Sequence, residues 1–168
     1  MQFPSTLEEI GEDAFAGCSA LMCELSLPHS LKRIGDGAFV GSAIRGNLVL
    51  PEGLEHIGGI AFGECYGLTG SLTIPSGIKV ISDGAFCGCG FTGNLNLPMG
   101  LTEIQEYAFC GRMFKGELNI PSTVTTNLKS LSINVSSATV FVNTILPLLG
   151  FAVISLINEL SITTTAPL

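Results

Sequence analysis

The residues of this chain that could do chemistry are its six cysteines and two histidines. Cys65, Cys87, Cys89 and Cys110 carry the thiol that zinc prefers, but the Cys87-x-Cys89 spacing is tighter than the two-residue gap usual in zinc sites. We therefore expect no metal ion and no cofactor.

The histidines do not suggest catalysis either. His29 and His56 stand in different sequence contexts, and neither has a nucleophile or a metal partner at a recognisable spacing. The chain has no Gly-rich phosphate loop, no Gly-x-Ser-x-Gly elbow and no His-Glu-x-x-His pattern. The sequence predicts a protein that is not an enzyme.

What must position these side chains is an internal repeat of 23 or 24 residues, close to Leu-Pro-x-x-Leu-x-x-Ile-Gly-x-x-Ala-Phe. An Ala-Phe pair marks each copy: Ala14-Phe15, Ala38-Phe39, Ala61-Phe62, Ala85-Phe86, Ala108-Phe109. A fixed period of 20 to 29 residues with Leu at strand spacing is typical of a leucine-rich repeat solenoid.

Each repeat contains one run in which apolar residues alternate with mostly polar ones, as in a half-buried strand. These predicted strands are 24–27, 47–50, 71–74, 94–97 and 117–120. A proline follows each run and ends it, because proline cannot donate to a ladder. We expect the runs to stack in parallel into one sheet.

The rest of the repeat is expected to fill the core. Positions 7, 31, 54, 78, 101 and 124 form one predicted buried column, positions 10, 34, 57, 81 and 104 a second, and the phenylalanines a third in a short helical or 3₁₀ turn. The fold class is an α/β repeat solenoid over residues 1–125, with five to six coils of 23–24 residues, short parallel strands and few or no long helices.

The cysteines fall into repeat positions. Cys18, Cys65 and Cys89 share one position and Cys87 and Cys110 another, while Ser42 and Arg112 replace cysteine in other copies. We expect partly buried free thiols that pack as small hydrophobes. A Cys87–Cys110 bridge between neighbouring coils is the alternative if the chain is exported.

With these residues in hand, the chain resembles the BspA-like leucine-rich repeat family over about residues 3–125, most fully in segments 51–65 and 75–89. Ser82 and Gln105 depart from the Gly that follows Ile. The resemblance implies a protein that is secreted or surface-attached and linked to adhesion and protein binding, and it implies no catalytic residues.

The outward positions of the predicted sheet form the candidate ligand-facing stripe, on the side expected to be concave. Its residues are Glu24, Ser26, Asn47, Val49, Ser71, Thr73, Asn94, Asn96, Glu117 and Asn119. They are small and polar and include no Trp, Tyr or Arg, the usual binding hot spots. The stripe could bind a polar or glycan-like ligand or could be merely solvated; Tyr66, Tyr107, Arg45, Arg112 and Phe114 are alternative anchors, although Phe114 fits the core position of Leu68 and Phe91 better.

The net charge of −7 argues against nucleic acid as a partner, because nucleic-acid binding rests on Lys and Arg at phosphates. The scattered carboxylates are expected to form a solvated acidic surface. A site for a basic partner or for calcium is the alternative.

The segment 126–168 is apolar and no longer follows the repeat. Residues 138–157 are long enough to span a bilayer as a helix, so contact with a membrane is one prediction. The other is a degenerate repeat that caps the solenoid, with a strand near 128–133; a processed anchor signal is a third.

We conclude from the sequence that the chain is a non-enzymatic module for protein or glycan recognition and adhesion at a cell surface, secreted or membrane-anchored, although no signal peptide opens it. A structural spacer of a larger surface protein and an intracellular protein-interaction module are the alternatives.

Overall fold

The computed structural model of this protein describes residues 1–111, 114–115, 118–124 and 140–142. We divide the repeats at their prolines into coil 1 (4–27), coil 2 (28–50), coil 3 (51–74), coil 4 (75–97) and coil 5 (98–120). The described residues contain short strands and turns and no helix, so the predicted solenoid of short parallel strands is confirmed.

One set of strands lies where the sequence predicts only core packing, at the Ile that precedes each Ala-Phe turn. These strands are β1 (Glu9–Ile10), β2 (Arg33–Ile34), β4 (His56–Ile57), β7 (Val80–Ile81) and β9 (Glu103–Ile104). They pair in parallel in the orders β1-β2-β4 and β7-β9. Each places a buried Ile beside a more exposed residue, so two residues suffice for the alternation of a half-buried strand.

The predicted sheet exists, but it is broken into pairs. Strands β6 (Leu72–Thr73) and β8 (Leu95–Asn96) pair in parallel within the predicted runs, and β10 (Leu118–Ile120) lies within 117–120. In coil 1 the run 24–27 makes a single parallel bridge, from Ser26 to Gln2.

The prediction for coil 2 is wrong in position. Its strand is β3 (Arg45–Asn47), which begins before 47–50 and pairs with β5 (Gly67–Thr69) rather than with β6. Coil 3 has one more residue between Phe62 and its strand run than coil 2 has after Phe39. That extra residue shifts the pairing register between the two coils.

Three residues of the apolar tail belong to a sheet. Strand β11 (Val140–Val142) pairs in parallel with β10, Leu118 opposite Val140 and Ile120 opposite Val142. This strand lies inside the segment 138–157, so residues 140–142 are not part of the helical membrane span that the sequence offers there. The predicted strand near 128–133 and the rest of 126–168 lie outside the described residues.

The predicted core columns are confirmed. Ile10, Ile34, Ile57, Ile81 and Ile104 are buried, as are Leu31, Leu54, Ile78, Leu101 and Val124. Leu7 in coil 1 is half-buried. Phe114 is buried against Phe91 with ring centroids 6.0 Å apart, which places it in the core position expected for it.

A stack of phenylalanine rings runs along the solenoid. Phe15, Phe39, Phe62, Phe86 and Phe109 follow one another at centroid distances of 5.2, 5.2, 5.5 and 5.7 Å, with neighbouring rings within 8° of parallel. Each Ala-Phe pair sits in a tight turn that is closed by backbone hydrogen bonds between residues three apart in the chain. In coil 3, for example, Ala61 N–H donates to Gly58 O and Cys65 N–H donates to Phe62 O. The repeated ring therefore gives each coil a flat apolar contact with the next.

Replacing Phe62 by Ala should lower the free energy of unfolding by about 3–5 kcal/mol, because its ring is buried between Phe39 and Phe86 and a cavity would remain. Urea denaturation measures the loss. The matched control is Phe15→Ala, since Phe15 is half-buried at the end of the stack and its loss should be smaller. Equal losses in the two variants would contradict the stacking described above.

Candidate binding surface

The described members of the candidate stripe all lie at the surface. Glu24, Ser26, Asn47, Val49, Ser71, Thr73, Asn94, Asn96 and Asn119 are exposed, while Glu117 lies outside the described residues. Their neighbours in the chain, Leu25, Leu48, Leu72, Leu95 and Leu118, are buried. The alternation read from the sequence therefore assigns the outward side chains correctly.

Hydrogen bonds tie the stripe from coil to coil. Asn96 Nδ2 donates to Thr73 Oγ1 at 3.0 Å, and the backbone N–H of Asn94 donates to Ser71 Oγ at 2.9 Å. These bonds fix the side chains of coils 3 and 4 against each other, so this part of the stripe is ordered before any ligand arrives.

Glycines make room for the stripe. A Cβ on Gly46 would lie 3.0 Å from Glu24 Cγ, and a Cβ on Gly70 would collide with the side-chain oxygen of Asn47. Gly46 and Gly70 also have positive φ, 87° and 78°. Gly46 and Gly70 therefore serve both the turn and the close approach of the preceding coil's stripe residue, a second role that the sequence did not reveal.

The chemistry of the stripe is hydrogen bonding by hydroxyl and amide groups. Val49 is its apolar member and is 72% exposed. Arg45, one of the alternative anchors, is exposed in β3 beside Asn47. Such a surface can donate and accept hydrogen bonds over several coils, as polar ligands require.

A second exposed row runs along the strands at the Ile positions. Arg33 lies beside Glu9 with Nε and Oε1 3.5 Å apart, and Arg33 and His56 are opposite each other in β2 and β4. Burial lowers the pKa of His56 below its usual 6.5, and the nearby Arg33 lowers it further, against the carboxylates of Asp36 and Glu9. This row begins with an ion pair and a histidine, and sequence reasoning missed it because it treated these positions only as neighbours of the core.

The cysteines take two different states. Cys87 and Cys110, on neighbouring coils, form a disulfide with their Cα atoms 4.4 Å apart, which corrects the expectation of free thiols for this pair and matches the alternative. Cys18, Cys23, Cys65 and Cys89 are free. Both cysteines occupy one repeat position on adjacent coils, so the stacking of coils 4 and 5 brings their Cα atoms within disulfide range. Cys65 and Cys89 also share a position on adjacent coils but are not bonded to each other.

The buried thiols complete the hydrogen bonding of the phenylalanine turns. Cys65 Sγ donates to Phe39 O and Cys89 Sγ to Phe62 O, each at 3.1 Å. Burial raises the pKa of both thiols, so they are protonated and inert near neutral pH. They act as small packing groups, as expected.

The described part of the chain contains no group of three or more His, Cys, Asp or Glu side chains arranged to hold a metal ion. It also contains no helix long and apolar enough to cross a membrane.

A thiol titration checks the cysteine assignment. A thiol reagent should label Cys18 and Cys23 in the folded chain, because both are half-buried, and should reach Cys65 and Cys89 only after denaturation. Cys87 and Cys110 should react only after reduction. Six reactive thiols in denaturant without reductant would contradict the disulfide.

The lowered pKa of His56 predicts a pH-dependent stability. The folded chain resists protonation of this ring more than the unfolded chain does, so stability should fall as the pH drops below 6.5 toward the folded pKa. His56→Gln should therefore become more stable relative to the wild type between pH 7.5 and pH 5, as measured by urea midpoints. An unchanged pH dependence in His56→Gln would contradict the assignment.

Comparison with known proteins agrees with this geometry. A model of the BspA type leucine rich repeat region matches six copies, over residues 1–112 and 37–144. The crystal structure of a leucine-rich repeat protein from Bacteroides ovatus ATCC 8483 superposes with a TM-score of 0.59 at 21% identity, covering 97% of this chain and 44% of the other. At that identity the likeness concerns the fold alone, and the chain spans less than half the length of that protein.

No curated protein sequence matches this chain. The family match covers more than half of the sequence and extends past residue 125, where the sequence analysis ended the solenoid, to residue 144. This chain belongs to the BspA type leucine-rich repeat family.

Proposed function

We propose that this chain is a non-enzymatic recognition module that binds a protein or glycan at a cell surface through the stripe formed by Glu24, Ser26, Asn47, Val49, Ser71, Thr73, Asn94, Asn96, Glu117 and Asn119. The observation that carries the proposal is the row of exposed polar side chains on a rigid stack of coils. Extended surfaces of stacked repeats are what solenoid proteins use to bind partners.

The order within the stripe supports binding. The bond from Asn96 to Thr73 and the bond to Ser71 hold side chains that would otherwise lose rotamer freedom in a complex. A preformed polar surface loses less entropy on binding than a mobile one. Polar side chains in register suit a ligand that itself repeats hydroxyl or amide groups, such as a glycan or an extended peptide.

The disulfide supports a location outside the cytoplasm. Bonds such as Cys87–Cys110 persist in oxidising environments and are rare where thiols are kept reduced. BspA-type leucine-rich repeats are also typically found in surface proteins. We therefore propose a secreted or surface location.

The proposal is tested by probing printed arrays of glycans and of secreted proteins with the labelled chain. The double variant Thr73→Arg, Asn96→Arg places two bulky charges in the stripe. The matched control is Ser76→Arg, Met99→Arg, which puts the same charges on exposed residues of coils 4 and 5 outside the stripe. Binding to the strongest ligands should fall by about tenfold or more in the stripe variant, equal to about 1.4 kcal/mol, and should persist in the control.

Two results would overturn the proposal. If ligand binding falls equally in both variants, the ligand binds outside the stripe, or the added positive charge alone weakens binding. Absence of any ligand on either array would favour the spacer role, in which the coils set a distance and bind nothing.

A further inference from the structure

Among the described residues, no coil lies on the outer side of coil 1, and core positions are open there. Ala14 is exposed, whereas the alanine at this position has no exposed surface in coils 2, 3 and 4. Phe15 is half-buried, although Phe3 contacts its ring edge-on at a centroid distance of 5.7 Å, and Leu7 is half-buried as well. Terminal repeats of solenoids need a polar outer face, which these positions do not provide. We call this surface the coil 1 end: Leu7, Ala14, Phe15 and Cys18.

The backbone at the coil 1 end has open groups in a defined order. At the Ala-Phe turns each coil donates to the next one, as when Phe15 N–H donates to Ala38 O. On the strand side the direction is reversed, since Lys32 N–H donates to Glu8 O, and the equivalent Glu8 N–H has no acceptor in the described part of the chain. The equivalent carbonyls of coil 1 receive no N–H from any described residue: those of Glu12, Ala14 and Ala16.

Cys18 lacks the acceptor that the same thiol has in other coils. Cys65 Sγ donates to Phe39 O and Cys89 Sγ donates to Phe62 O, in both cases a carbonyl of the preceding coil. The described residues offer no such carbonyl to Cys18, which is free and half-buried. The open groups of coil 1 are therefore those that a preceding coil satisfies in coils 3 and 4.

The rim of coil 1 carries charge of one sign. Residues 4–27 contain no Lys, Arg or His, and all of their carboxylates are exposed: Glu8, Glu9, Glu12, Asp13 and Glu24. Between coils 2 and 3, Lys32 lies beside Glu55 with Nζ and Oε1 3.7 Å apart. Glu8 holds the position of Glu55 in coil 1. A partner that meets this rim is complementary when it carries Lys or Arg at the position of Lys32.

Coil 2 shows what fits such a surface. Coil 3 carries the same residue types as coil 1 at the positions of Glu8, Phe15 and Cys18. In coil 3 these positions face coil 2, which supplies the Lys32 ammonium, the Phe39 ring and the Phe39 carbonyl. A segment that resembles coil 2 therefore satisfies the coil 1 end in the same way.

A second copy of this chain fits the coil 1 end poorly. If two of these ends faced each other, the carboxylates of one rim would meet those of the other with no cation between them. Such like-charge contacts disfavour association. Coil 1 of one copy is also hindered from stacking on coil 5 of another, because β11 already pairs with β10 at the strand edge of coil 5.

We propose that the coil 1 end binds a coil of the same repeat type carried by another protein, with Lys or Arg at the two positions before its buried isoleucine. The phenylalanine of that coil stacks on Phe15, and its carbonyl accepts the hydrogen bond from Cys18 Sγ. The two cations reach Glu8 and Glu9. The partner thereby continues the contacts that join each inner coil to the one before it.

The coil 1 end is independent of the proposed function. The stripe runs along the side of the solenoid over several coils, whereas the coil 1 end closes the stack at one terminus. The stripe variants Thr73→Arg and Asn96→Arg lie in coils 3 and 4, so the two proposals can fail separately.

The test uses the full chain and a fluorescein-labelled synthetic peptide with the sequence of coil 2, residues 28–50, in an anisotropy titration at low salt. The double variant Glu8→Gln, Glu9→Gln should weaken peptide binding by about fivefold, the order expected from two exposed ion pairs. The matched control is Glu103→Gln, Glu106→Gln, which removes the same charge from coil 5 and should leave the affinity unchanged.

The Cys18 thiol gives a second readout that charge attraction alone does not change. In the Cys23→Ser variant, Cys18 is the one half-buried free thiol left among the described residues, so a thiol reagent should label it in the folded chain. A saturating concentration of the peptide should slow this labelling several-fold. A peptide that carries Phe39→Ser should bind more weakly and protect Cys18 less.

Four results would overturn the proposal. The first is that the wild type shows no binding up to about 1 mM peptide. The second is that the Glu8→Gln, Glu9→Gln variant binds the peptide as tightly as the coil 5 control does. The third is that saturating peptide leaves the labelling of Cys18 unchanged. The fourth is that the wild type alone sediments as a dimer in which Cys18 is protected, because the occupant is then a second copy.

Discussion

The contact between one coil and the next is the constraint on which the rest of this structure depends. A single coil cannot bury Phe62, Ile57 or Leu54 by itself, because it has only one layer of chain. The next coil covers all three side chains, and the phenylalanine rings of neighbouring coils lie 5.2 to 5.7 Å apart between their centroids. At the Ala-Phe turns, neighbouring coils are also joined by backbone hydrogen bonds. Phe39 N–H donates to Ala61 O and Phe62 N–H donates to Ala85 O, each at 2.8 Å. The alanines at this position are buried from coil 2 onward, where a larger side chain would hold the coils apart.

That constraint divides the residues of each coil into two groups. Inward positions must be apolar and of constant size, because each one meets its equivalent in the neighbouring coil. Outward positions are exposed and can vary, which gives the stripe its small polar side chains and gives the Ala-Phe turns such different residues as Asp13, Ile60 and Tyr107. The proposed stripe is therefore a product of the same stack.

Small changes of coil length have large local effects in such a stack. The one extra residue in coil 3 leaves the phenylalanine and isoleucine columns in register, because it is inserted between the turn and the strand run. It changes only the pairing of β3, which meets β5 instead of β6. The insertion therefore leaves the core columns unchanged and alters only which short strands pair at the surface. The same logic explains why the repeat keeps its fold with 23 or 24 residues.

The sequence by itself determined the period, the inward columns, the Ala-Phe turns and the outward stripe, because each of these depends on residues close together in the chain and on simple alternation. Only the tertiary structure decided that Cys87 bonds Cys110, that Asn47 lies over Gly70, and that Ile60 covers Gly84. Those neighbours are a whole coil apart in sequence, and the backbone hydrogen bonds between coils fix their lateral register. A periodic sequence shows which positions recur, whereas the stacked backbone determines which side chains of successive coils come into contact.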